Sequence, residues 1–275
     1  MKRFFRNFAF TSGLILTVVL VFAALAAPLL APYDPIQQDT SRRLEAPSKE
    51  HLLGLDVLGR DVLSRILYGA RVSLRVGFSV VVLASLIGVS LGAISGYFGG
   101  IVDLLVMRLC DILLAFPGIL LAIALVAVLG PSLNNVVLAL ATIGWVGYAR
   151  LARGQVLKVR EMEYVTAARA LGARSPRVII RHVLPNIINP VIVMATLGLA
   201  GAILAEAALS FLGLGVQPPT PSWGEMLSSG RNYLGLANHL AIFPGAAIML
   251  AVMGLNFLGD GLIDALDPKY RKEMR

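Results

Sequence analysis

Six apolar runs, most of them about as long as a bilayer crossing, are separated by short charged segments along the whole of this chain. A hydrocarbon core about 30 Å thick takes roughly 20 helical residues to cross. Inside it every backbone N–H and C=O must be bonded within the protein, so only helices and closed barrels span. Barrel strands alternate apolar and polar residues, whereas these runs are unbroken Leu, Ile, Val and Ala. Only 15% of the residues are charged and 57% are hydrophobic, against about 25% charged in soluble domains. The expectation is an all-α polytopic membrane protein with six transmembrane helices. They cover about Phe8–Pro28, Val72–Tyr97, Leu104–Leu129, Leu133–Tyr148 (extending toward Leu157), Ile187–Leu212 and Leu240–Ile263.

The net charge of +8 does not point to nucleic acid. Its basic residues gather at Lys2–Arg6, Arg150–Arg181 and Lys269–Arg275, each beside an apolar run, as the cytoplasmic flanks of membrane helices do. Six crossings put both termini and the 150–186 loop inside; the outer segments Ala31–Arg71 and Gly213–Asn238 carry balanced charge. The first run also admits a cleavable leader, with small residues at Ala24–Ala27, but it is long for one. Within residues 31–71, Val62, Leu63, Ile66 and Leu67 share a helical face behind a candidate N-cap at Asp61. The expectation there is a short amphipathic helix on the outer membrane surface. The division is thus an N-terminal span with its outer segment, 1–71, and a five-span core, 72–275.

Within the spans, Gly88, Gly92 and Gly96 make one small-residue face for close helix approach. Phe116-Pro117-Gly118 predicts a kink. Cys110 is the single cysteine and reads as a packing residue, so neither a disulfide framework nor a cysteine metal site is expected.

The loop between spans four and five has its own order. Tyr164, Ala167, Ala168 and Leu171 fall on one helical face, and Gly172 stands where helices stop in a left-handed turn. Ser175-Pro176 reads as the N-cap and first residue of a second helix, with Val178, Ile179 and Val183 as its apolar face and Leu184-Pro185 as its end. An alanine-lined helix flanked by arginines suits a groove on another protein.

Ala167-Ala168, Gly172 and Leu184-Pro185 resemble the loop shared by permeases of binding-protein-dependent ABC importers. The usual form begins Glu-Ala-Ala and has Ile two residues before Leu-Pro; here Thr166 and His182 stand at those places. Tyr164…Ala-Ala-Arg-Ala-Leu-Gly172…Arg181-His-Val-Leu-Pro-Asn186 looks like the dipeptide/oligopeptide branch. So do His51 to Arg65 with Tyr68-Gly-Ala-Arg71, Leu209-Ser-Phe-Leu-Gly-Leu-Gly215 and Pro221-Ser-Trp-Gly224. The likeness covers nearly the whole chain and fits the second, C-type permease of a heterodimeric pair. It implies a type I ABC importer permease fold with an extra N-terminal span, in the bacterial inner membrane. The implied partners are a paired homologous permease, one or two nucleotide-binding ATPase subunits, a periplasmic or extracellular solute-binding protein and membrane lipid. ATP and Mg belong to the ATPase subunits; this chain has no cofactor and no Gly-x-x-x-x-Gly-Lys phosphate loop, so it is not itself an enzyme. The resemblance assigns coupling to the ATPase to Tyr164, Ala167, Ala168, Arg169, Leu171, Gly172, Leu184 and Pro185.

Ionisable residues in spans are costly and invite functional readings. Arg108 and Asp111, three apart, are expected to pair. Glu206, with no evident local partner, is a candidate for the translocation path or a subunit contact. Met253 and Asn256, with Met249 on the same face, are further path candidates; packing is the plainer reading of the methionines. No metal site is expected. Rival classes are an intramembrane enzyme and a proton-coupled secondary transporter. The first lacks a nucleophile at helical spacing from His51, His182 or His239. The second has Glu206 as a coupling group but no use for a docking loop. Peptide is the expected cargo and a nickel complex or other small solute the alternative.

Overall fold

The computed structural model describes residues 8–266, with side chains to Asp264; the basic clusters Lys2–Arg6 and Lys269–Arg275 lie outside the described residues. Among these the regular structure is helical apart from one bridge pair, Leu55 with Asp61. The helices are α1 (Phe8–Leu25), α2 (Ala27–Leu30), α3 (Val62–Phe98), α4 (Gly100–Leu114), α5 (Gly118–Leu129), α6 (Leu133–Val159), α7 (Glu163–Ala170), α8 (Ser175–Val178), α9 (Leu184–Phe211), α10 (Trp223–Gly230) and α11 (His239–Leu266). Five helical runs are long and apolar enough to span: α1, α3, α6, the run Ser175–Phe211 that contains α9, and α11.

The sixth crossing follows from packing. Gly88 of α3 lies against Trp145, Tyr148 and Ala149 of α6, Gly92 against Ala149, and Gly96 against Arg153 and Val156. Residue numbers rise together, so α3 and α6 run parallel. Two parallel helices in succession need a return between them, and α4 with α5 is what lies between. That pair is bent by 86°, because Pro117 has no N–H to donate and pushes Phe116 out of the helical region. The kink expected at 116–118 is therefore a near right angle. Elsewhere neighbours are antiparallel: α3 with α9 through Gly77 against Leu199 and Ile203, and α1 with α11 through Gly13 against Gly254–Leu258 and Gly261 against Phe10. The first span is thus fitted into the bundle, with Ile15, Val18, Val19 and Phe22 exposed on its other side. It behaves as the extra span, and the six-helix expectation holds.

Two expected boundaries are corrected. The short surface helix at 61–67 is the beginning of α3, which continues unbroken for 37 residues, about 55 Å at 1.5 Å per residue. That exceeds the hydrocarbon core, so its first turns project beyond it. Their apolar face packs on protein: Val62 is buried with Met226, Ala237 and Leu240. Asp61 is the N-cap as expected, accepting from the Ser64 N–H at 2.8 Å. This helix also runs straight through the 71/72 division. Second, Leu184-Pro185 does not end the loop's second helix. Ile179–Val183 form a π-helical turn in which Leu184 N–H donates to Ile179 O, and the helix passes into α9. The wider turn accommodates Pro185, whose ring would otherwise crowd the carbonyl four residues back. Ser175 is the first helical residue and Arg174 the cap, one position from expectation.

Candidate functional site

The hairpin of α7 and α8 leaves the bundle at the end where α3 and α6 finish. Val165 of α7 is fully buried with Ala152, Val156, Val159, Val178, Val183 and Ile187, which anchors the helix. The face expected to be apolar looks the other way: Tyr164 is 44% exposed, Leu171 89%, Ala167 exposed and Ala168 half-buried. The Tyr164 ring lies 6.4 Å from that of His182, so one of the two departures from the usual loop borders this face. Leu184 is partly buried and Pro185 exposed.

Gly172 closes α7. Its φ is +83°; its N–H donates to Arg169 O at 2.9 Å and Ala173 N–H to Ala168 O at 3.0 Å. This is the Schellman pair of bonds around a left-handed residue. No atom lies within 4 Å of where a Cβ would sit, so backbone strain alone resists substitution. Gly172→Val is expected to cost the hairpin about 1–2 kcal/mol, read as roughly tenfold faster amide exchange in α7. Gly172→Asn, which tolerates this region, should exchange nearly as the native chain does.

The path candidates disperse. Glu206 is completely buried and accepts from Ser210 Oγ at 2.7 Å and from Ser73 Oγ of α3 at 3.2 Å. It therefore has a local partner one helical turn away, contrary to expectation, and ties α9 to α3. Met253 is partly exposed and Asn256 half-buried on α11; neither lines the large cavity described next. Asp111 bonds Arg150 of α6 at 2.6 Å, so the expected pairing with Arg108 is corrected: α4 is tied across to α6. Asp103 of α4 does the same with Arg153, at 2.6 Å. Cys110 is buried, as expected of a packing residue.

A cavity of about 590 Å³ opens between α3, α5, α6 and α9, within the usual range for small-molecule sites. Val81, Leu140, Gly144, Met194, Gly198 and Gly201 line it, and its one side-chain polar group is the Tyr148 hydroxyl. These residues escaped the sequence reading because glycines in membrane helices mark packing as readily as space.

Also unforeseen is a buried ion cluster at the opposite end. Arg65, 1% exposed, reaches Glu225 of α10 at 2.9 Å, Asp56 at 3.4 Å and Pro35 O at 3.1 Å; Arg60 bonds Asp56 at 2.6 Å. His51 Nδ1 lies 3.0 Å from Asp61. This clamps residues 31–61 onto α3 and α10. Nearer the surface, hydrogen bonds from Arg42 hold the Glu45 and Glu50 carboxyls below their usual range. The Asp56/Arg60 spacing of four was the legible signal. Arg65→Ala leaves Glu225 without its cation, while Arg60 still holds Asp56, and is expected to cost about 3–5 kcal/mol, seen as a lower thermal midpoint of the detergent-purified chain.

The comparisons agree with this architecture. Residues 88–272 match the family described as binding-protein-dependent transport system inner membrane component, and residues 1–47 match the N-terminal TM domain of oligopeptide transport permease C. The dipeptide transport system permease protein of Alkalihalophilus pseudofirmus is 50% identical, over 94% of this chain and 85% of that protein. The di/tripeptide permease of Pseudomonas aeruginosa is 47% identical over 98% and 93%, and the glutathione permease of Pectobacterium atrosepticum 44% over 98% and 90%. A chain of the inward-facing MetNI methionine ABC transporter aligns over 74% of this chain and 96% of its own, with TM-score 0.56 and 19% identity, a likeness of fold. Six crossings, an exposed helical hairpin and a family match over two-thirds of its length place this chain among the inner membrane components of binding-protein-dependent transport systems.

Proposed function

We propose that this chain is one of two permease subunits of an ATP-driven importer of di- and oligopeptides. The observation that carries the reading is α7 itself: anchored by Val165, it turns Tyr164, Ala167 and Leu171 outward, a small apolar face left exposed among the described residues. Exposed apolar faces of this kind mark interaction sites. The partner is an ATPase subunit that binds ATP and Mg; closure of the ATPase pair moves α7. The hairpin and both termini then lie in the cytoplasm, and residues 31–61 and α10 face the solute-binding protein. The cavity between α3, α5, α6 and α9 is this chain's share of the path, the other wall coming from the paired permease.

Peptide is favoured over nickel because the relatives cited are named for dipeptides, di/tripeptides and glutathione, all of them peptides. A wall with one side-chain hydroxyl and no charge suits solutes of varied side chain. The test is uptake by vesicles holding the two permeases, ATPase subunits and binding protein. ATP-dependent accumulation of labelled dipeptide, without a proton gradient, is the expected result. Uptake of nickel in place of dipeptide would replace the substrate; uptake needing a proton gradient and no ATPase would overturn the reading.

A further inference from the structure

Arg169 belongs to the motif of α7, yet its side chain does not share the outward face. It lies four residues after Val165, hence on the same side of the helix, and its Cζ sits 4.7 Å from the centroid of the Tyr97 ring at the end of α3. That is cation–π distance. Tyr97 packs edge-on against Phe98, with centroids 5.3 Å apart, and one residue back Gly96 O accepts from Arg160 Nη1 at 2.8 Å. The apolar anchor at Val165 sets how deeply α7 sits, but hydrophobic contact has no direction and does not fix the helix's rotation. A planar cation over an aromatic ring does.

We propose that Tyr97 is a positioning residue for coupling: through Arg169 it holds α7 in register with α3, so that motion imposed on α7 is delivered to α3. The continuous helix then carries it to the Arg65–Asp56–Glu225 cluster at its other end. Arg169 thus works inside this chain, while Tyr164, Ala167 and Leu171 meet the partner. The inference rests on reading α7 as the coupling helix.

The experiment measures dipeptide taken up per ATP hydrolysed, and ATPase subunits retained on purification, in the full assembly. Tyr97→Leu and Arg169→Gln are each expected to lower uptake per ATP by about two- to fivefold, the worth of a solvent-accessible cation–π contact. The double variant should be no worse than either single one. Tyr97→Phe, which keeps the ring, should match the native chain, and every variant should retain its ATPase subunits. Native coupling in Tyr97→Leu overturns the proposal, as does equal loss in Tyr97→Phe. So does an Arg169→Gln variant that sheds its ATPase subunits, which would assign the guanidinium to the partner. Ala167→Glu run alongside separates the two levels: native uptake there would refute the coupling reading itself.

Discussion

Ala167→Glu is expected to abolish uptake while the chain still accumulates in the membrane at its native level. Ala167 is exposed, on the side of α7 away from the buried Val165, so the new side chain disturbs nothing within the subunit. On the proposed docking it would carry bulk and an unpaired charge into the ATPase subunit's groove. A buried charge without its counterpart at an interface costs about 2–5 kcal/mol or more, upward of roughly thirtyfold in affinity. ATPase subunits should fail to co-purify, and uptake should fall to background. Ala167→Ser, which adds one oxygen, should retain both. Native uptake by the glutamate variant would remove α7 from the coupling role.

Gly92→Val is expected to have the larger structural effect. Its Cβ would fall on the Ala149 carbonyl oxygen, with the Ala149 C and Cα atoms at 2.9 Å. These are backbone atoms, which no change of rotamer can withdraw. Overpacked cores commonly lose about 1–3 kcal/mol, and two membrane helices associate through this packing rather than through exclusion of water. Separating α3 from α6 also dismantles the cavity, since Val80, Val81 and Ala84 form one wall and Leu140 to Tyr148 another. The level of chain in the membrane should drop about tenfold or more, with a lower thermal midpoint in what survives. Gly154→Ala, on the same α6 but with nothing within 4 Å, should behave as the native chain. Equal levels for the two variants would contradict the parallel α3–α6 seam.

What was readable in advance was local. Hydropathy runs mark spans because lipid demands them, and the 3.6-residue period marked Tyr164, Ala167, Ala168 and Leu171 as one face. That this face would suit a groove on another protein was expected; that Val165, one residue away, anchors the helix was not readable, because it is only one apolar residue among several. The Gly88–Gly92–Gly96 face was visible, but its partner, more than 50 residues on, was not. The second span was expected to start near Val72. Burial of Val62 and Arg65 by α10 and residues 31–61 instead carries the helix back to Val62, and that depends on contacts far apart in sequence. Pro185 was read as a stop because proline usually breaks an α-helix; a π turn removes the conflict locally. For Glu206, Ser210 one turn away was legible, whereas Ser73, 133 residues earlier, was not.

Coverage of the Tyr164–Ala167–Leu171 face of α7 by an ATPase subunit, as proposed, can be read directly at Ala167. Cys110, the single cysteine, is buried, so an Ala167→Cys variant offers one accessible thiol. Its rate of maleimide labelling is measured in the paired permeases alone and again with the ATPase subunits bound. Fast labelling alone and strong protection in the full assembly are expected; equal rates in the two would mean that no ATPase subunit covers this face.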